Sequence, residues 1–144
     1  MRTLAFIDAS NLFYGGEKSL GWKIDYQKLF QYLRQKYGVS NFGYKLFLKP
    51  VKLYEQEDGS TRRKANCDVD MAFHLMKEKD NFDRVIILSG DGDFLPVLKY
   101  LRDQGKEVII LARGPRTAKE IRQFAGANFR DFEYLKFRLK MEEK

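Results

Sequence analysis

Residues 84–93 read RVIILSGDGD, and this stretch decides the fold. The run RVIIL is short and continuously apolar after its arginine, which predicts a strand buried on both faces. Ser89-Gly90-Asp91-Gly92-Asp93 then follows as a small, acidic turn. Two other runs share this character: TLAFI at 3–7, closed by Asp8, and EVIIL at 107–111. Between them the apolar spacing changes to that of helices. Leu29, Phe30, Leu33 and Tyr37 recur along 25–37, with Asp25 as N-cap and Gly38 as stop. Val69, Ala72, Phe73 and Met76 mark the expected inner face of a helix starting near Asp68. Further helices are expected at 94–103, stopped by Gly105, and at 117–124. Residues 42–48 alternate and are rich in aromatics, so they predict a strand, with a second one beyond Pro50 at 51–54. Residues 55–66 predict a polar loop around the turn Asp58-Gly59-Ser60. A short strand near 129–132 and a charged terminal helix from about 134 complete the chain. Strands alternating with helices predict an α/β fold, a Rossmann-like three-layer arrangement with a mainly parallel central sheet, spanning 1–144 as one domain.

The 144 residues suffice to bury a core, and a hydrophobic fraction of 44% argues for a folded protein. One cysteine, Cys67, excludes an internal disulfide framework, and with a single histidine, His74, it argues against a thiolate or histidine zinc site. No signal peptide or membrane span is read in the sequence, so a cytoplasmic protein is expected. The net charge of +7 favours a polyanionic partner.

The acids of this basic chain fall in informative places. In open α/β sheets, ligands bind beyond the carboxyl ends of the strands. Asp8 ends the first strand, Asp91 and Asp93 follow the RVIIL strand, and Asp68 begins a helix. Each alone reads as a cap or turn residue. Together they fall at one expected edge, where a divalent cation would relieve their mutual repulsion. Mg²⁺ takes a few carboxylates and leaves positions for phosphate oxygens.

Three segments, FIDASN at 6–11, KANCDVD at 64–70 and SGDGDFLPVL at 89–98, resemble the signature segments of NYN domains, which belong to the PIN-like nucleases. GKEVIIL at 105–111 also resembles the family's strand after the acidic turn. The resemblance implies a PIN-like fold and Mg²⁺- or Mn²⁺-dependent cleavage of RNA. It makes Asp8, Asp68, Asp91 and Asp93 the catalytic, metal-holding acids, with Asn11 and Ser89 as supporting polar groups. Two departures stand out. Lys64-Ala65 replaces the usual Lys-Gly, and His74 falls where a further acid is common, with Asp70 nearby as a supporting carboxylate.

Around this site, Arg62, Arg63 and Lys64 in the polar loop, and Arg113, Arg116 and Lys119 after the EVIIL strand, are the expected phosphate contacts. Tyr14, Trp22 and Tyr54 are candidates for stacking on unpaired bases. The expected function is a metal-dependent endoribonuclease, with a non-catalytic RNA-binding or adaptor module that keeps the fold as the alternative that His74 favours. A homodimer is left open. A phosphoryl-transfer domain with Asp8 as nucleophile fits poorly, because Ser10 stands where such a phosphatase needs a second acid.

Overall fold

The three central strands of the sheet, around 3–8, 84–88 and 107–112, carry apolar residues of alternating destination, and that alternation builds two cores. The computed structural model describes residues 1–12, 20–40, 43–47, 52–55, 61–64 and 67–142, with the backbone alone for residues 10, 44, 46, 47, 52–55, 61–64, 67 and 68. Strands β1 (Thr3–Asp8), β2 (Tyr44–Phe47), β5 (Arg84–Leu88), β6 (Glu107–Ala112) and β7 (Phe129–Asp131) form a five-stranded sheet of order β2-β1-β5-β6-β7. Every neighbouring pair in it is parallel. Two more strands, β3 (Lys52–Glu55) and β4 (Thr61–Lys64), pair antiparallel as a separate ribbon.

On one face Ala5, Ile7, Ile86, Leu88, Ile109 and Leu111 pack beneath helix α1 (Tyr26–Tyr37), which contributes Leu29, Tyr32, Leu33 and Tyr37. On the other, Phe6, Val85, Ile87, Val108 and Ile110 meet Met71 and Leu75 of α2 (Cys67–Lys77), Leu98 and Leu101 of α3 (Leu95–Asp103), and Ile121 of α4 (Lys119–Ala125). Two buried faces explain why the central strands are apolar almost throughout. The cap expected at Asp25 is made: its carboxylate accepts the N–H groups of Gln27 and Lys28. Gly38 ends α1 at φ 72°, a left-handed conformation that costs glycine little.

The structure departs from the sequence reading at four elements. Helix α2 buries Met71 and Leu75, with Ala72 packed beside them, and leaves Val69 and Phe73 exposed, so its inner stripe is rotated away from the one expected. Periodicity could not choose, because apolar residues run round most of this helix. Thr61–Lys64, expected in a loop, forms strand β4; the turn at Asp58-Gly59-Ser60 lies outside the described residues. Helix α4 begins at Lys119 rather than Thr117, because the Thr117 hydroxyl donates to the Arg113 carbonyl at 2.7 Å instead of capping the helix. The long terminal helix is replaced by a 3₁₀ turn (Phe132–Leu135) and a short α5 (Lys136–Leu139). Ile24 then pairs with Lys140 in an isolated antiparallel bridge, which extends the backbone where the helix was expected to continue.

Candidate functional site at the carboxyl edge of the sheet

The sheet register brings the two acidic segments together. Ile7 stands opposite Leu88, so Asp8 and Ser89 leave adjacent strands at the same level. Between β1 and β5 the winding of the sheet reverses, from β2 on one side to β6 and β7 on the other. A crevice opens at such a switch point, beyond the carboxyl ends of the strands.

A chain of hydrogen bonds fixes the polar groups there. Asp8 is 3% exposed. Its Oδ1 accepts the Asn11 N–H at 3.1 Å, capping a single helical turn (Ala9–Asn11), and its Oδ2 accepts the Ser89 hydroxyl at 3.2 Å. Ser89 Oγ in turn accepts the Asp91 N–H at 3.2 Å, and the Asn11 side-chain carbonyl accepts the Gly90 N–H at 3.2 Å. Asp91 Oδ1 accepts the Asp93 N–H at 2.9 Å and so caps the 3₁₀ turn Gly92–Phe94 that leads into α3. Asn11 and Ser89, expected as supporting groups, thus tie the end of β1 to the loop after β5. Asp8 and Asp91 are caps as well as site candidates; each lends one oxygen to a helical turn.

Two residues at this edge were not anticipated. Thr117 packs so closely on Gly90 that a Cβ there would stand 2.5 Å from its Oγ1 and 2.8 Å from its Cα. Glu120 brings a carboxylate against Gly92, where a Cβ would stand 2.5 Å from its Oε1. Their sequence spacing, Thr followed three residues later by Glu, reads as a capping box. That local signal concealed a tertiary role: the segment after β6 folds onto the acidic turn, with the Ala118 N–H donating to the Gly90 carbonyl at 2.9 Å.

Asp68 lies in the first turn of α2, a helix packed against β1 and against the turn Gly92–Phe94; of Asp68 only the backbone is described. Asp70 and His74 are one turn apart on the same helix, and the His74 ring meets Phe73 edge-on at 5.4 Å. The oxygens gathered at this edge are carboxylate, hydroxyl and amide, a hard donor set of the kind Mg²⁺ or Mn²⁺ takes. Among the described residues, no three His, Cys, Asp or Glu side chains stand close enough to form a coordination shell by themselves.

The expected cations differ in their surroundings. Arg116 and Lys119 are exposed just beyond the end of β6. Arg113 is turned inward and pairs with Glu133 at 3.1 Å and Asp131 at 3.7 Å. Arg62, Arg63 and Lys64 lie on β4, where the register sets Tyr54 opposite Arg62 and Lys52 opposite Lys64. Trp22, expected as an exposed stacking residue, is 7% exposed and belongs to the core beneath α1; Tyr14 lies outside the described residues. None of the helices among the described residues is long and apolar enough to cross a membrane.

Comparison with known proteins agrees with this architecture. A family model described as the NYN domain matches residues 2–133, which leaves 134–144 outside the match. The low amplitude and bright protein LabA of Synechococcus elongatus is 22% identical over a 147-residue alignment, covering 84% of this chain and 78% of LabA. A crystal structure of a protein of unknown function from Vibrio parahaemolyticus superposes with a TM-score of 0.63 at 21% identity, over 90% of this chain and 92% of that one. At that identity the likeness is one of fold.

Proposed function

The chain belongs to the NYN domain family, and from that premise we propose that it is a divalent-metal-dependent endoribonuclease working at the carboxyl edge of its sheet. The observation that carries the reading is the cross-link between Asp8 and the Ser89–Asp93 segment at the switch point of the sheet. Ser89 ties the carboxylate that ends one strand to the backbone N–H of Asp91 in the loop after its neighbour, so the two acidic segments are held together beyond what either cap needs.

Asp8, Asp91 and Asp93, with Asp68 from α2, are the residues that would hold Mg²⁺ or Mn²⁺. When bound, the cation supplies Lewis acidity to the scissile phosphodiester and lowers the pKa of an attacking water. The chain's own contribution is positional. Ser89 and the Asn11 N–H each hold one oxygen of Asp8, so this carboxylate is oriented before a cation binds. Asp91 and Asp93 stand further toward solvent, where a polyanion can approach. Arg116 and Lys119, and Arg62, Arg63 and Lys64 on the ribbon, contact phosphates without reading sequence.

One experiment tests this. Purified protein is incubated with labelled RNA and Mn²⁺, beside the Asp91→Asn variant and a chelated control. Cleavage by the wild type that is lost in both controls supports the reading; its absence from a folded wild type, at any Mn²⁺ concentration, sinks it. The second reading is an RNA-binding module without catalysis, favoured by His74 in place of an acid and by the absence of a three-donor group among the described residues. Tight RNA binding without cleavage is its signature.

A further inference from the structure

Residues 132–141 follow β7 as a strap along the α1 side of the molecule, and this strap is pinned at both ends. Phe132 and Leu139 are fully buried. The Asp25 N–H donates to the Leu139 carbonyl at 2.7 Å, the Met141 N–H to the Lys23 carbonyl at 2.9 Å, and Lys28 Nζ to the Lys140 carbonyl at 3.0 Å. Between these anchors, Tyr134 is 87% exposed and Phe137 101%. A phenylalanine left in water forgoes about 1.5–3 kcal/mol that burial would supply. Single exposed apolar residues need no explanation. Two aromatics three positions apart on consecutive helical turns do, because that spacing sets them on one face.

We propose that this strap is a docking track for single-stranded RNA, with Tyr134 and Phe137 stacking on unpaired bases; the proposal rests on the reading of RNA as the partner. Charge argues for a nucleic acid rather than a protein on this face. The ionisable side chains from 135 to 141, Lys136, Arg138 and Lys140, are all cationic, and the Glu142 that follows them pairs with Lys28 at 3.7 Å. The acids just before them, Asp131 and Glu133, are engaged by Arg113. Arg138 is held in place with its guanidinium 5.1 Å from the centre of the Tyr32 ring.

Position argues the same way. The strap begins at the carboxyl end of β7, level with the edge that carries Asp8 and Asp91, and ends beside Asp25 at the start of α1. At that end a recess of about 390 Å³ opens between Gly21, Trp22, Lys23, Lys140, Met141 and Glu142. The buried Trp22 indole N–H has no hydrogen-bond partner among the described residues. A base leaving the aromatic pair would meet Lys23 and Lys140 there, with the Glu142 carboxylate drawn toward Lys28. Aromatic stacking tolerates any base, so the track selects unpaired strands and not sequence.

The test measures fluorescence anisotropy of a labelled oligouridylate of about twelve nucleotides, a length that spans one such site. The full chain is used in chelator, so that nothing is cut, with an RNA duplex of equal length alongside. Since neither aromatic is buried, Tyr134→Ala/Phe137→Ala is expected to keep the thermal midpoint of the wild type. It should bind the single strand about tenfold or more weakly, with little change on the duplex, while Tyr134→Trp/Phe137→Trp stays within about threefold of the wild type. Single-strand affinity within about twofold of wild type in the alanine variant overturns the track. So does a concentration-dependent dimer in sedimentation that the alanine substitutions abolish without changing RNA affinity, which would make the face a self-association surface. The two proposals fail separately. A wild type that cuts RNA but is indifferent to the alanine pair loses the track alone; one whose binding responds to the pair but which never cuts with Mn²⁺ loses the nuclease alone. A folded wild type that neither binds nor cuts loses both.

Discussion

Ser89 donates a hydrogen bond to the Asp8 carboxylate and accepts the Asp91 N–H, so one buried oxygen joins a site carboxylate to the backbone of the acidic turn. Ser89→Ala leaves a carboxylate oxygen and a backbone N–H short of a partner. A loss of about 1–3 kcal/mol is expected in urea unfolding, the cost of unsatisfied buried groups. Next to it, Gly90 is required by space and not by an unusual φ. The Thr117 Cα lies 2.8 Å from where a methyl group would go, and backbone cannot swing aside as a side-chain tip can. Gly90→Ala should therefore destabilise by about 1–3 kcal/mol, as overpacking does, and should weaken any Mn²⁺-dependent cleavage together with it. Unchanged unfolding midpoints in either variant would show that the two segments are less tightly joined than the distances imply.

Helix α2 gives the clearest test at the scale of an element, because its two sides contradict a simple reading of its sequence. Leu75 is fully buried against the sheet and Phe73 is 60% exposed. Leu75→Ala should cost about 2–5 kcal/mol, the range for a large core residue cut to a methyl group. Phe73→Ala should stay within about 0.5 kcal/mol of the wild type. Chemical denaturation of the two variants decides between the faces, and a larger loss at Phe73 would reverse the orientation of the helix. In the ribbon, β-strand alternation sets Lys52, Tyr54, Arg62 and Lys64 at positions of one parity, and Arg63 at the other. A ribbon that contacts RNA by one face makes Arg62→Ala and Arg63→Ala differ several-fold in lost affinity, whereas equal losses would bring both faces into contact.

For the molecule as a whole, the α1 layer carries a titration that reports its integrity. Burial and the neighbouring Tyr37 hydroxyl push the Tyr32 phenol up from 10.0 to about 12. Below pH 10 both folded and unfolded chains keep this proton, and the contribution is whole. As the pH rises toward about 12 the unfolded chain ionises first, so stability falls across that window. Tyr32→Phe keeps the ring and removes the proton; its unfolding midpoint should decline less steeply than the wild type's over the same range. A parallel decline in both would mean that Tyr32 titrates as a solvent-exposed phenol. The net charge of +7 has its own consequence, because RNA affinity should fall linearly in log–log terms as salt rises.

The parallel strands, their order of occurrence and the acids at their ends were legible in the sequence because each is a local signal. A continuous apolar run forces burial on both faces, and a Gly-Asp turn forces the chain to stop there. The resemblance at FIDASN and SGDGDF named the family for the same reason, since those residues are contiguous. Tertiary structure alone decided which strands are neighbours, and with that the meeting of Asp8, Asn11 and Ser89 across 81 positions of sequence. It decided which side of α2 is buried, where the apolar residues are too many to point one way. It also turned Arg113 inward onto Glu133, drew Thr117 and Glu120 to the acidic turn, and left Tyr134 and Phe137 in solvent. The physical reason is common to all of these. A residue's type fixes what it can do, but its partners come from chain segments that its own neighbourhood does not contain.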